Sequence, residues 1–321
     1  MADSNLPSFT LSTSFNDQKI ASPIPIYLPA NLSREQLLAF PAFKHWLTRL
    51  LQNFALQDDP AHTFHARPFR VHRIDVEAVV WFGPKPGFMK LQAKVQNYED
   101  AEAEGLSAEE KATRGMMWVP GAVFLRGGSV GVLVRDSEEE TYTLLTIQPR
   151  IASGSLAFPE IPAGMLDGSQ NLSGKAAQEI EEETGLVIHA SQMLNMSSLA
   201  TSGVTLNPSS LSNDSSKSGN ELRESIEDAM YPSVGACDEF LPLFLCQKRM
   251  ARAKLEELKD KKTGLREEGE AITVKVVKFS ELWREGGRDG KALAALGLYY
   301  SLREKGLLPE WPERPSEEVN E

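Results

Sequence analysis

The stretch from Gly164 to Leu186, GMLDGSQNLSGKAAQEIEEETGL, places three acidic side chains on one face of a short helix. Ser173 reads as the N-cap, the helix runs to Thr184, and Gly185 supplies a left-handed stop. Ala176, Ala177 and Ile180 form the apolar side that packs on a core. Glu179, Glu182 and Glu183 stand at i, i+3 and i+4 on the other side. Like charges at that spacing repel, and the last turn of a helix prefers cations, each effect costing from a few tenths to about 1 kcal/mol. A bound divalent cation is the simplest compensation. Carboxylate oxygens are hard ligands, so Mg²⁺ is the expected ion and Mn²⁺ a substitute for it. Taken alone, EIEEE reads first as a solvated acidic helix end, since charge runs usually face water.

Charge and cysteine content narrow the partners. The 321 residues carry a net charge of -11, which argues against a nucleic-acid binder, since phosphate neutralisation needs a basic surface. Cys237 and Cys246 are the only cysteines and suit a reducing compartment rather than a disulfide framework or a zinc site. No run of about 18 apolar residues is present, so no membrane span is expected. The N-terminus lacks both a basic start and an apolar core, which makes cytoplasm the default and an organelle the second choice.

Along the chain, residues 1–22 are polar and without periodicity and read as a disordered tail. Leu37, Leu38, Phe40, Phe43, Trp46, Leu47, Leu50 and Leu51 recur near helical spacing, with Pro41 as a break or a new first turn. RVHRIDVEAVVWF and FMKLQAKV, separated by Gly83, Pro84, Pro86 and Gly87, form a β-hairpin. Residues 98–113 are a solvated acidic segment. From 117 to 151 two strands flank a charged turn, LVIHA after the helix reads as a strand, and 198–220 is a Ser/Asn/Gly-rich loop leading into a short acidic helix, ELRESIEDAM. SELWREGG and KALAALGLYYSLREKG read as helices.

With its glycines included, the 164–186 stretch resembles the Nudix box, G-x5-E-x7-R-E-U-x-E-E-x-G-U with U aliphatic. Gly164, Glu179, Ile180, Glu182, Glu183, Gly185 and Leu186 fall in register. Gln170 replaces the first Glu of the pattern, and Gln178 replaces its Arg, a cation that would orient the neighbouring carboxylates. FGPKPGFMKL, GAVFLRGGSVGVLV, IPAGMLDG, GACDE and TGLREEGEAITVKVVKFSELW through ALGLY are similar to the ADP-ribose and ADP-sugar diphosphatase branch, especially its plant type.

The resemblance implies an α/β fold: a Nudix α/β/α sandwich with a mixed sheet, plus a smaller N-terminal helix and β-hairpin module. Together with the composition shifts along the chain it gives a tail at 1–22, the N-terminal module at 23–115, the Nudix domain at 116–305 with a flexible insertion at 198–230, and a loose tail at 306–321. It further implies a homodimer and Mg²⁺-dependent cleavage of a nucleoside diphosphate sugar, ADP-ribose or ADP-glucose first, to a nucleoside monophosphate and a sugar phosphate.

Carried over by position, Glu179 and Glu183 are the principal metal ligands, Glu182 is catalytic beside them, and the Ala163 carbonyl is a further ligand. In the loop TGLREEGEAI the choice for metal ligand or base lies among Glu267, Glu268 and Glu270, with Glu270 first and Glu268 second. Arg150 in IQPRI resembles a family arginine that contacts substrate phosphate, Arg126 is a second candidate, and Trp81 or Trp46 would stack on the base. The alternative is a nucleotide-binding or sensing module on the same scaffold, weakened by Gln170 and Gln178.

Overall fold

The computed structural model describes residues 7–136, 141–202, 223–264 and 270–311. The chain divides into two compact units, the first comprising 1–127, 203–227 and 233–239, the second 128–202, 228–232 and 240–321. The expected boundary near 115/116 thus moves to Gly127/Gly128. The cause is local: strand β8 (Ala122–Leu125) pairs with the hairpin of the first unit.

In the first unit β1 (Ser8–Leu11), β4 (Ile24–Tyr27), β5 (Arg70–Phe82), β6 (Lys85–Gln96) and β7 (Trp118–Val119) lie in that order in one sheet, while β2 (Ser14–Phe15) and β3 (Gln18–Lys19) form a small ribbon. The expected disordered tail is therefore ordered from residue 8. Leu11, Phe15 and Ile20 are buried, and β1 gains its hydrogen bonds from the distant β4. Helices α1 (Arg34–Ala39) and α2 (Pro41–Ala55) meet at Phe40, and Pro41 opens the second at its first position, where the missing N–H costs nothing. Phe43, Leu47 and Leu51 of α2 pack with Ile26, Ile74, Met89 and Leu91 of the sheet. The acidic segment holds α3 (Asp100–Ala103) and α4 (Ala108–Thr113).

The second unit is built on β9 (Ser129–Asp136), β10 (Tyr142–Arg150), β11 (Ser155–Glu160), β12 (Ala163–Met165), β13 (Met193–Asn195), β14 (Leu243–Lys248), β15 (Lys262–Thr263) and β16 (Ile272–Lys278). Its main order is β13-β14-β9-β10-β16-β15, with β9–β14 parallel and its neighbours antiparallel. Alternation along the strands supplies two cores. Val130, Val132 and Val134 of β9 and Leu144 of β10 face α5 (Leu172–Thr184), while Leu133, Leu145, Leu243 and Leu245 pack with Ala292, Ala295 and Tyr299 of α9 (Gly290–Glu304). Helices α6 (Met196–Thr201), α7 (Arg252–Leu258) and α8 (Leu282–Glu285) complete the layers. This is the α/β/α sandwich with a mixed sheet that the resemblance implies.

Three local expectations are corrected. LVIHA forms no strand: Leu186 and Ile188 are buried in the core beside α5, and pairing resumes only at β13. The loop expected from 198 is helical to Thr201, while 203–222 lies outside the described residues. Residues 223–229 are not helical. Ser225 instead exchanges two hydrogen bonds with the Asn53 amide, and Glu227 takes His45 and Arg49 as partners. At the other end Leu308 packs on the second core and Trp311 lies against Arg135, so the tail is anchored that far.

Candidate active site

Helix α5 is capped by Asn171, not Ser173. The Asn171 side chain accepts the Gly174 N–H at 3.0 Å and caps the first turn, with Ser173 inside it. Gly185, at φ 72°, stops the helix and donates to the Glu181 carbonyl at 2.8 Å. Ala176, Ala177, Ile180 and Thr184 are buried against the sheet, and the small side chains bring the backbone close enough to bury Glu179 and Glu183 as well.

Glu183 is held from two strands. Its Oε2 accepts the Ala163 N–H at 2.9 Å, and its Oε1 accepts the Gln148 amide at 3.2 Å. Burial outweighs these bonds and lifts its pKa to about 8, with the Glu160 and Glu179 charges adding to the rise. Glu179 is also raised, first by burial, then by Glu182 and Glu270, against the pull of Lys175. Lys175 sits one turn earlier with its Nζ 2.8 Å from Glu179 Oε1. Burial disfavours the Lys175 charge, yet the bond and attraction to Glu179, helped by Asp167 and Glu182, prevail and raise its pKa. Gly164 is required by close approach: a Cβ there would coincide with the Glu179 carboxylate. Glu182, half-buried, accepts the Gln178 amide at 2.7 Å.

The late loop reaches the same helix end. Gly264 donates to the Glu182 carbonyl at 3.3 Å, and the Thr263 hydroxyl donates to the Glu183 carbonyl. Glu270 lies beside Gly264 and is exposed, and its charge is felt at Glu179. Glu267 and Glu268 lie outside the described residues.

Arg150 ends β10, two residues beyond Gln148. Its Nε donates to Glu160 Oε1 at 2.6 Å, and no other partner engages its side chain among the described residues. Glu160 is 3% exposed, and its Oε2 accepts Lys291 Nζ at 2.7 Å. Arg126 and Trp81, the other substrate-binding candidates, belong to the first unit. Arg126 pairs with Glu239 at 3.1 Å and lies over the Phe88 ring, and Trp81 packs on the core there, as does Trp46. Sequence reasoning passed over Gln148, Glu160, Lys175, Asp289 and Lys291. Only Glu160, a lone charge inside the apolar run LAFPEIPAG, carried a signal.

No protein-family model matches the chain. Nudix hydrolase 14, chloroplastic, of Arabidopsis thaliana is 30% identical to it over 276 residues, covering 85% of this chain and 74% of that protein. The chain belongs to the Nudix hydrolase family. A solved ADP compounds hydrolase aligns with a TM-score of 0.40 at 10% identity, over 75% of this chain and 97% of its own, a likeness too low to bear on the assignment.

Nudix hydrolases work with divalent cations, and the donors here suit one. Among the described residues no three acidic, histidine or cysteine side chains stand together as a ready metal cluster, because each glutamate is turned onto a protein partner: Glu179 onto Lys175, Glu182 onto Gln178, Glu183 onto Ala163 and Gln148. The donor chemistry still fits a hard dication. Glu183 is a buried carboxylate left short of positive charge, and Glu179 lies against the backbone of Gly164. Among the described residues no helix is long and apolar enough to cross a membrane, and both cysteines are free thiols, Cys246 buried with its pKa pushed up to about 11.

Proposed function

We propose that this Nudix hydrolase cleaves the diphosphate of a nucleoside diphosphate sugar, ADP-ribose or ADP-glucose first, with Mg²⁺ as its ion. One observation carries the reading: Arg150 is tied only through Nε, and its Glu160 partner is close enough to influence Glu183. A guanidinium with both terminal nitrogens available is thereby joined to the carboxylate helix, the pairing a diphosphate needs.

Glu179, Glu183, the Ala163 carbonyl and Glu270 would hold the cation. The cation, when bound, would supply charge neutralisation for the diphosphate and activation for a water. Arg150 grips one phosphate and orients it. As water attacks phosphorus, the bond to the bridging oxygen breaks and the leaving phosphate departs with the electron pair. Glu270, exposed beside Gly264, takes the water proton, and Glu182 is the second catalytic carboxylate. Trp81 remains the proposed base-stacking residue, with Arg126 as a second phosphate contact. The chain acts as a homodimer. The relative's name places that protein in the chloroplast, so an organelle stands beside the cytoplasm as the compartment.

The test is product analysis with ADP-ribose, ADP-glucose and GDP-mannose in Mg²⁺, alongside Glu183→Gln. Release of nucleoside monophosphate from an ADP-sugar, lost in the variant, supports the reading. The second reading, a binding module, draws on Gln178, which gives Glu182 a neutral amide where the box has an arginine; nucleotide binding without turnover would establish it.

A further inference from the structure

Glu160 is a buried carboxylate serving two cations. Arg150 takes Oε1 through Nε, and Lys291 takes Oε2. Lys291 is itself fixed by Asp289, whose Oδ1 lies 3.0 Å from the Lys291 Nζ and also accepts the Lys291 backbone N–H at 3.0 Å, capping α9. The other Asp289 oxygen accepts the N–H of Ile161, the residue after Glu160, at 3.0 Å. Asp289 is 3% exposed. The first turn of α9 therefore holds both the backbone next to Glu160 and one oxygen of its side chain.

This division of the carboxylate has a chemical consequence. An arginine facing a carboxylate frequently binds it with two parallel N–H bonds, which consumes a terminal nitrogen. Here Lys291 is on Oε2 and Arg150 is on Oε1 through Nε alone, so neither terminal nitrogen of Arg150 is spent on Glu160. The Arg150 side chain is 42% exposed, so those nitrogens are open to a ligand. We infer that Lys291 and Asp289 are positioning residues for substrate binding, which keep Arg150 from closing onto Glu160 and so present its terminal nitrogens to the diphosphate. The inference rests on Arg150 being the phosphate grip proposed above.

The experiment is a double-mutant cycle with Arg150→Met, Lys291→Met and the pair together, reading KM and kcat for ADP-ribose in Mg²⁺ and the affinity for ADP by calorimetry. Loss of a charge-assisted contact predicts that Arg150→Met and Lys291→Met each raise KM and weaken ADP by roughly tenfold or more with kcat changed little, and that the pair is no worse than Arg150→Met alone. Lys291→Arg should recover part of the loss. If Lys291→Met does not fold, Asp289→Asn carries the test, since its single amide oxygen can keep the helix cap while the charge that steadies Lys291 and the bond from the Ile161 N–H are removed; ADP should then weaken by roughly threefold, within the range of a lost ion pair. Should Arg150→Met leave ADP affinity intact, the phosphate-grip reading fails. Should Arg150→Met weaken ADP while Lys291→Met or Asp289→Asn does not, or should the two losses simply add, the positioning role is refuted.

Discussion

Glu183→Gln should make the metal-free protein more stable while abolishing turnover. The Glu183 carboxyl ionises near 4.5 when unfolded and at about 8 when folded, because burial opposes its charge. Between those values the native state holds a proton that the unfolded state has released, so stability falls as pH rises. At about 1.4 kcal/mol per pH unit the loss approaches about 5 kcal/mol by pH 8, as an upper bound. Glutamine removes this penalty without losing a bond: its oxygen accepts the Ala163 N–H, and its amide meets Gln148, whose own amide rotates to present oxygen. Urea unfolding in EDTA should therefore show the variant and the wild type separated by a constant difference below pH 4.5. The advantage of the variant should grow through the window to about pH 8 and level off above it. Adding Mg²⁺ should reverse the order, since a dication binds the ionised carboxylate of the wild type and stabilises the fold that holds it. An advantage independent of pH, or a variant less stable than wild type in EDTA at pH 8, would refute the reasoning.

Other substitutions probe separate parts of the structure. Gly164→Ala should cut turnover by roughly a hundredfold or more through displacement of Glu179, as expected for misplacement at a reacting centre; activity within a few-fold of wild type would show the helix yielding instead. Lys175→Met should lower the metal-free melting temperature and tighten Mn²⁺ binding by roughly tenfold, since a cation no longer competes for Glu179 Oε1; weaker binding in calorimetry would make Lys175 an aid to the metal. Glu227 has its pKa held down to about 2, first by the bond from His45, then by Arg49 against the effect of burial. Its contribution is thus present above pH 4.5 and lost as pH falls toward about 2. Glu227→Gln should cost about 1 kcal/mol at pH 7, after allowance for a side chain 34% exposed, and the deficit should shrink across that acid range; a deficit flat from pH 4.5 downward would count against it.

What was readable in the chain was what neighbours along it decide. The i, i+3, i+4 spacing of Glu179, Glu182 and Glu183 and the stop at Gly185 are properties of one helix, and the structure keeps them. Asn171 displaced Ser173 as cap by two positions because both are good capping residues and only the backbone turn distinguishes them. Errors grew where the deciding partner was remote. Leu11, Phe15 and Ile20 are scattered among polar residues and look like tail until β4 pairs with β1. LVIHA is as apolar and β-branched as a strand, yet Leu186 and Ile188 fill the core beside α5 with no neighbouring strand to pair with.

The same distinction runs through the site. The carboxylates come from one helix, which also supplies Lys175 and Gln178, but the other groups that set their behaviour come from β10, β11, β12 and α9, and Lys291 meets Glu160 across 131 positions of sequence. No periodicity encodes that contact. A physical clue was present nonetheless, because a charge set among Leu156, Ala157, Phe158, Ile161 and Pro162 is buried only at a cost that demands opposite charges. Glu160 therefore announced that cationic partners must exist, though not which. The structure supplies two, and their unequal claims on its oxygens, one through a lysine that holds nothing for substrate and one through an arginine with nitrogens to spare, distinguish the residue that shapes the site from the residue that faces it.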